Sequence, residues 1–250
     1  MQVVGYQRPD LALLVTSDAS PGAVDRLPLD RGARLEYSLG ARHCAGTLTD
    51  DGHVPCSAPT APYCEAHAST WVCARCTGTC LKDEMDCYQE HAVYLAAFAP
   101  ATFKVGVTRL ERLETRLREQ GADRAAHVHT ASNGRIAREL EAEIARTLTD
   151  RVRVPEKVAG LHRAVDEAAW ESLLADFDVV ERFEFDYDLP LDDQPIPETL
   201  ATGTVVGTKG RLLVLERAGS AYAVDARDLV GYELREGASE RQLQSSLARF

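Results

Sequence analysis

Seven cysteines, with His67 and His91 close behind two of them, lie between positions 44 and 91 of this 250-residue chain. Thiolate and imidazole groups at short spacings are the ligands of tetrahedral zinc. Four ligands close a structural zinc site, so nine candidates suffice for one or two ions with one group to spare. The candidates are Cys44, Cys56, Cys64, His67, Cys73, Cys76, Cys80, Cys87 and His91.

The order of these residues along the chain favours one grouping, although an interleaved arrangement stays open. The first predicted set is Cys44, Cys56, Cys64 and His67. The second combines Cys87 and His91 with two of Cys73, Cys76 and Cys80. Because both sets would be closed, we predict one or two zinc ions with a structural role. His43 and His53 flank the cluster and are predicted to be ordinary surface or loop histidines.

Polar residues of a second kind follow the cluster on predicted strands and helices. Apolar stretches at 92–99 and 103–107 predict two buried strands joined by an Ala-Pro turn. A leucine stripe then predicts a helix from about Leu110 to Gly121, where the glycine ends it. Residues 126–130 predict a third strand, on which His127 and His129 are expected to be surface histidines.

Further helices are predicted after this third strand. Ser132 or Asn133 can cap one helix, and Pro155 begins another that is predicted to run to about Asp176. A strand with an acidic face is expected at 179–187, followed by an acidic, proline-containing linker. Short strands are predicted in both terminal segments.

The stretch from Val93 to about Leu148 resembles the GIY-YIG superfamily of nucleases. Val93-Tyr94-Leu95 lies where that family has its first tyrosine strand, and Lys104-Val105-Gly106-Val107-Thr108 lies where it has the second. Arg116-Leu117 is similar to the arginine helix, with Arg112 as a competing alignment. Leu140-Glu141 is similar to the start of the family's glutamate motif.

The resemblance implies phosphodiester hydrolysis with four residues in named roles. Glu141 would hold a divalent cation, Mg²⁺ or Mn²⁺, and Arg116 would steady the phosphate. Tyr94 or Lys104 would act as the base if its pKa were lowered. Two departures are visible, since Lys104 replaces the family's second tyrosine and Gln120 lies where a histidine is often found.

The segment running from the cysteines to Gln120-Gly121-Ala122 also resembles an uncharacterised prokaryotic family. In that family a Cys/His cluster directly precedes a core of the form VYLA…KVG(I/V)TR…QGA. Cys80, Cys87 and His91 match that pattern, which favours Cys80 as a ligand. This second resemblance implies no function.

Composition limits the classes of partner. The net charge of −11 opposes simple binding to phosphate backbones, yet residues 104–153 hold 11 basic and 8 acidic side chains. No run of 18 apolar residues and no secretory leader pattern is present, so we expect a cytoplasmic protein without membrane contact. In that compartment clustered cysteines indicate metal ligands rather than disulfides.

Together these patterns predict an α+β protein with a β-rich frame from the N- and C-terminal segments, a zinc-binding insert and a small GIY-YIG-like α/β core. The predicted parts are an N-terminal β segment (1–43), the zinc module (44–91), the core (92–153), a helix, strand and acidic linker (154–198), and a C-terminal β unit with a tail (199–250).

Three functions are compatible with this organisation. One is binding of DNA or RNA, with a ribosome or tRNA as possible targets, without cleavage. Another is a divalent-metal-dependent endonuclease, and the third is a protein-interaction scaffold with purely structural zinc. The oligomeric state is not predicted.

Overall fold

The computed structural model describes residues 1–17, 20–68, 88–239 and 241, which divide into two units. Unit 1 combines Met1–Ser69 with Tyr187–Phe250, and unit 2 is Thr70–Asp186. The predicted ligands Cys73, Cys76, Cys80 and Cys87 and the chain beyond residue 241 lie outside the described residues.

Most of the described elements are strands, and the helices are short. The strands are β1 (Val3–Gln7), β2 (Ala12–Thr16), β3 (Val24–Pro28), β4 (Arg34–Arg42), β5 (Thr47–Thr49), β6 (Gly52–Val54), β7 (His91–Phe98), β8 (Thr102–Arg109), β9 (Arg124–Ala131), β10 (Glu181–Glu184), β11 (Ile196–Pro197), β12 (Ala201–Lys209), β13 (Leu212–Arg217), β14 (Ser220–Asp225) and β15 (Tyr232–Glu236). The helices are α1 (Leu113–Gln120), α2 (Gly134–Ile144), α3 (Val154–Ala159), α4 (Glu167–Leu174) and α5 (Ala226–Leu229), with a 3-10 turn at Leu110–Arg112.

Unit 1 is built from strands of both terminal segments of the chain. Its six-stranded sheet has the order β11-β14-β13-β12-β4-β15, so β4 lies between two C-terminal strands. Strands β1 to β3 form a separate antiparallel sheet, and β5 and β6 form a hairpin. Leu13, Leu213 and Leu215 are fully buried in the hydrophobic core of this unit.

Unit 2 contains a four-stranded antiparallel sheet of order β10-β9-β7-β8. All eight residues of β7 are buried, as expected of a central strand covered on both faces. Val93, Leu95 and Ala97 share a hydrophobic core with Trp170 and Leu174 of α4. The alternate residues of β7, which include Tyr94, therefore face the opposite side of the sheet.

The local signals for helix ends in unit 2 are confirmed. Asn133 caps α2 by accepting a 3.0 Å hydrogen bond from the backbone N–H of Ile136. Gly121 ends α1 in the left-handed conformation, with φ of 70°.

The single helix predicted from Pro155 to Asp176 is wrong, because the structure divides it into α3 and α4. A Cβ at Gly160 would lie 1.7 Å from the Ala99 carbonyl oxygen, so the chain passes directly against the β7–β8 turn. Asp166 then donates its backbone N–H to Pro100 O and caps α4 through Ala169 N. The strand expected at 179–187 is also shorter than predicted, since β10 covers Glu181–Glu184.

None of the helices in the described ranges combines the length and the hydropathy that a membrane span requires.

Candidate functional sites

The first candidate site is a Cys3His group in unit 1, at the end of β4 and in the loop after β6. Its members are Cys44, Cys56, Cys64 and His67, and their potential ligand atoms all lie within 4.8 Å of one another. A turn brings Cys64 and His67 together, because His67 N donates to Cys64 O at 2.9 Å. Cys44, just after β4, is held against the loop that follows β6, because its own backbone N–H donates to Ala58 O. The group could bind a metal ion.

Distances within the group suit zinc. Tetrahedral zinc with Zn–S bonds of about 2.3 Å places two sulfurs about 3.8 Å apart, and a sulfur and a nitrogen about 3.6 Å apart. Here Cys56 Sγ and Cys64 Sγ are 4.0 Å apart. The Nδ1 of His67 lies 3.4 Å from Cys44 Sγ and 3.2 Å from Cys64 Sγ. Zinc is therefore a plausible occupant.

Backbone N–H groups stabilise the thiolate form of Cys44, which is the form that binds a metal ion. Burial by itself would raise the pKa of the Cys44 thiol, but the N–H groups of Cys64 and Gly46 donate to its sulfur at 3.2 and 3.4 Å. With the side chains of Cys64 and His67 they lower the pKa of Cys44 to about 6. The pKa of Cys56 is raised instead: the Ala58 hydrogen bond lowers it, but desolvation and the other two thiols outweigh that bond.

The loop that carries Cys44 is fixed to the rest of unit 1 by a buried glutamine. Gln2 Nε2 lies 3.3 Å from Cys44 O and 3.1 Å from both Gly231 O and His43 Nδ1. His53 is not the surface or loop histidine expected from the sequence, because it is 7% exposed and its Nε2 lies 2.7 Å from Ala45 O. Neither His43 nor His53 belongs to the ligand group.

His91, the last predicted zinc ligand, is the first residue of β7 in unit 2. It is buried, and its Nδ1 lies 2.7 Å from Gln89 O. The cysteines predicted to join it in a second set are outside the described residues.

The second candidate site is a polar cluster in unit 2, which we define as Tyr94, Lys104, Arg116, Gln120 and Glu141. Tyr94 is 1% exposed and lies opposite Gly106 in the β7–β8 register. A Cβ at Gly106 would lie 2.5 Å from Tyr94 Oη, so the tyrosine ring lies directly over the glycine. Burial raises the pKa of the Tyr94 hydroxyl, and the nearby Arg116 guanidinium and a Gln120 hydrogen bond oppose that rise.

Lys104 is the most strongly perturbed amine near Tyr94. Desolvation and the charge of Arg116 lower its pKa, whereas Glu141 and Asp150 raise it, and the net result is a pKa of about 8. Lys104 is two residues before Gly106 on β8, so its side chain leaves the sheet on the same face as the Tyr94 ring. A group that titrates near neutral pH beside other ionisable groups is a candidate for acid–base chemistry.

The two charged members of the polar cluster lie on different helices. Arg116 on α1 is 39% exposed and donates to Glu119 Oε2 at 3.2 Å. Glu141 on α2 is 13% exposed and forms an ion pair with Arg138 at 2.5 Å. Both act on Tyr94 and on Lys104, which places these four predicted residues within electrostatic reach of one another.

The competing arginine, Arg112, shares its partner Glu119 with Arg116, whereas Arg118 forms an ion pair on the solvated face of α1. Arg112 pairs with Glu119 at 3.0 Å, and Arg118 pairs with Glu114 at 2.9 Å in the i,i+4 arrangement. The Arg118–Glu114 pair is exposed on both sides and contributes little to stability, whereas Glu119 is 11% exposed and pairs with both Arg112 and Arg116.

Two residues of this region were not identified from the sequence as parts of a site. Gln120 donates to Tyr94 Oη at 2.6 Å, although its position had suggested only a missing histidine. His127 lies opposite Tyr94 in the β7–β9 register and is 3% exposed, so the expectation of a surface histidine is wrong. The first contact depends on how α1 packs on the sheet and the second on which strands pair, and spacing along the chain indicates neither.

Fold and sites together define a strand-rich α+β protein that carries a Cys3His group capable of binding a metal ion. The chain belongs to the family described as "Protein of unknown function (DUF2797)", whose family model matches residues 40–234. That match includes the Cys3His group and the polar cluster. No curated protein and no solved structure gave a significant match.

Proposed function

We propose that unit 2 binds nucleic acid and hydrolyses a phosphodiester bond through a GIY-YIG-like core. The observation that carries this proposal is the polar cluster, in which Tyr94 and Lys104 share one face of the sheet and Arg116 and Glu141 each act on both of them. The element order also supports it. The hairpin β7–β8 is followed by α1, by β9 returning beside β7, and by α2 with the glutamate.

In this proposal Lys104 is the general base. Its neutral amine takes a proton from the attacking water, the water oxygen bonds to phosphorus, and the bond from phosphorus to the leaving oxygen breaks. The leaving oxygen takes a proton from solvent water and departs as an alcohol, and the Lys104 ammonium returns its proton to solvent. Arg116 steadies the charged phosphate with its guanidinium N–H groups. Tyr94 orients the water or leaving oxygen through its hydroxyl.

Glu141 is the residue that would hold Mg²⁺ or Mn²⁺. A single carboxylate fits such an ion, because Mg²⁺ commonly keeps several waters and binds through one or two carboxylates plus substrate phosphates. Its Oε2 pairs with Arg138, so a cation must compete with that arginine. When bound, the ion supplies Lewis-acid stabilisation of the phosphoryl oxygens.

The direct test is cleavage of end-labelled single- and double-stranded DNA and RNA with Mg²⁺ or Mn²⁺, comparing the wild type with Tyr94→Phe. The variant removes one hydroxyl and keeps the buried ring. We expect cleavage by the wild type and a loss of about 10- to 100-fold in the variant. A Tyr94→Phe chain that cleaves as fast as the wild type would contradict the role given to the hydroxyl.

We also propose that zinc occupies the Cys3His group and has a structural role. Four protein ligands leave no open position for a substrate or water, which is the property that separates structural from catalytic zinc. The backbone N–H groups that donate to Cys44 Sγ supply the outer support that such sites need.

Binding of nucleic acid without cleavage is the second candidate function. The ion pair between Arg138 and Glu141 favours it, because a neutralised carboxylate is a weaker cation ligand. In that case Arg116 and Lys104 contact the phosphate backbone, and affinity falls steeply as salt rises. Retained, salt-sensitive binding to oligonucleotides together with no cleavage would favour this candidate over the first.

A further inference from the structure

Gln120, the last residue of α1, is joined to Tyr94 by a short hydrogen bond. Its Nε2 lies 2.6 Å from Tyr94 Oη and 3.3 Å from the carbonyl oxygen of Arg116. A carbonyl oxygen can only accept hydrogen bonds, so the amide atom facing both partners must be the nitrogen. Gln120 is therefore a donor to the tyrosine hydroxyl.

The end of α1 that carries Gln120 is fixed from two sides. Lys157 of α3 donates from Nζ to Gln120 O at 2.6 Å, and the same ammonium lies 4.3 Å from the centre of the Phe98 ring. Gly121 stops the helix in a left-handed conformation and donates its N–H to Arg118 O. The glutamine backbone is thus held where its side chain reaches across to β7.

Donation by Gln120 decides what the Tyr94 hydroxyl can do. A phenol has one proton to give and two lone pairs to accept with. Because the glutamine occupies one lone pair, the tyrosine proton remains available for another acceptor. A donor of this kind also favours the ionised hydroxyl over the neutral one, which opposes the effect of burial.

Charged and titratable groups reach Tyr94 from every neighbouring element. Arg116 lies on the same helix as Gln120, Lys104 lies on β8, His127 lies opposite on β9, and Glu141 lies on α2. The Arg116 side chain hydrogen-bonds to the hydroxyl, and so, at 2.6 Å from its Nε2, does Gln120. Because the Gln120 amide has no formal charge, its effect is to orient the Tyr94 hydroxyl rather than to change the electrostatic field around it.

We propose that Gln120 is a positioning residue that orients the Tyr94 hydroxyl toward the place that the substrate phosphate takes in the proposed function. This inference rests on the proposed function, in which that hydroxyl orients the water or leaving oxygen. It gives a role to Gln120, which the sequence indicated only as a departure from the GIY-YIG pattern and whose backbone Lys157 holds in place. The glutamine itself does not contact the reacting atoms and acts through Tyr94.

Two substitutions and one control test the proposal. Gln120→Met keeps the length of the side chain and removes the donor, whereas Gln120→His restores an N–H donor. Thr115→Ala, at an exposed position of the same helix, is the matched control. We expect kcat to fall about 10- to 100-fold in Gln120→Met with KM unchanged, and Gln120→His to recover most of the loss.

A readout independent of activity is the ¹³Cζ resonance of Tyr94 in tyrosine-labelled protein, assigned with Tyr94→Phe. Gln120→Met should move this resonance more than any other tyrosine resonance, and Thr115→Ala should leave it in place. An unmoved Tyr94 resonance, or an unchanged kcat in an active enzyme, overturns the inference. If the wild type cleaves nothing, the proposed function fails instead, and the resonance still decides whether Gln120 positions the hydroxyl.

Discussion

The hydroxyl of Tyr94 lies over Gly106 on the neighbouring strand, at a distance that no side chain at position 106 would permit. A Cβ there would be 2.5 Å from Oη and 2.6 Å from Cζ of the tyrosine. The two residues are paired in the β7–β8 register. The missing side chain on β8 thus creates the space in which a buried tyrosine reaches the face that also carries Lys104.

Gly106→Ala should disturb this relationship. The added methyl group must displace the Tyr94 ring, which is 1% exposed and has little room to move. Overpacking of this kind costs about 1–3 kcal/mol, or about 2–4 °C in Tm per kcal/mol for a chain of this size. Thermal unfolding followed by circular dichroism measures this drop in Tm, and the cleavage rate should fall as well.

Gly5→Ala is the matched control for that substitution. Gly5 also lies in a strand, but a Cβ there would meet its nearest neighbour, Leu14 Cδ1, at an ordinary 3.5 Å. We expect a Tm close to that of the wild type. Equal destabilisation by the two alanines would contradict the special role of the Tyr94–Gly106 contact.

Loss of one ligand should empty the Cys3His group. Cys44→Ser replaces the buried, low-pKa thiol with a poor zinc ligand, so the metal content should fall by about one zinc per chain. Because structural zinc contributes folding free energy, Tm should drop by at least about 5 °C. Elemental analysis by plasma mass spectrometry and calorimetry measure the two effects.

The control for the zinc prediction is Ser57→Ala, next to Cys56 and exposed. It should retain the full zinc content and the wild-type Tm. Cys44→Ser protein with unchanged zinc would show that the group does not bind the ion.

The lowered pKa of Lys104 leads to a prediction for how the cleavage rate depends on pH. With a pKa of about 8, its amine is mostly charged at pH 6.5 and mostly neutral at pH 9, so a base at this position gives a rate that rises with pH and levels off above 8. Lys104→Arg stays charged and should be slow throughout. Lys104→Tyr, which restores the tyrosine of the GIY-YIG pattern, should keep activity with a displaced profile.

The lowered pKa of Lys104 also makes the free energy of unfolding depend on pH. The pKa of Lys104 falls from 10.5 to about 8 on folding, so the unfolded chain binds more protons between those values. Its contribution to the free energy of unfolding therefore rises with pH across that window.

A wild-type cleavage rate that stays flat from pH 6.5 to 9 would contradict the assignment of Lys104 as the base.

Local signals explain which features could be predicted from the sequence. The cap at Asn133, the end of α1 at Gly121, the buried strand β7 and the presence of strand β8, which is only partly buried, all follow from neighbouring residue types. The proximity of Cys44, Cys56, Cys64 and His67 follows from spacing, since the group spans fewer than 25 residues. Each of these inferences needs only a short stretch of chain.

Contacts between distant segments explain what was missed. The break at Gly160 arises from the Ala99 carbonyl, 61 positions earlier in the chain, and helix propensity carries no information about that approach. Gln120 meets Tyr94 across 26 residues, and Gln2 reaches Gly231 across 229. Such partners become visible only when strands are paired in three dimensions.

Comparing Glu141→Gln with the wild type for cleavage of labelled DNA and RNA in Mg²⁺ or Mn²⁺ decides whether the polar cluster is a nuclease site. Glu143→Gln, exposed on the same helix, is the matched control. We expect Glu141→Gln to lose at least about 100-fold in cleavage with zinc content unchanged, because the cation ligand is removed, and with at most a small drop in Tm from the lost ion pair with Arg138. A folded, zinc-loaded wild type that cleaves none of these substrates, or a Glu141→Gln chain as active as the wild type, would contradict it.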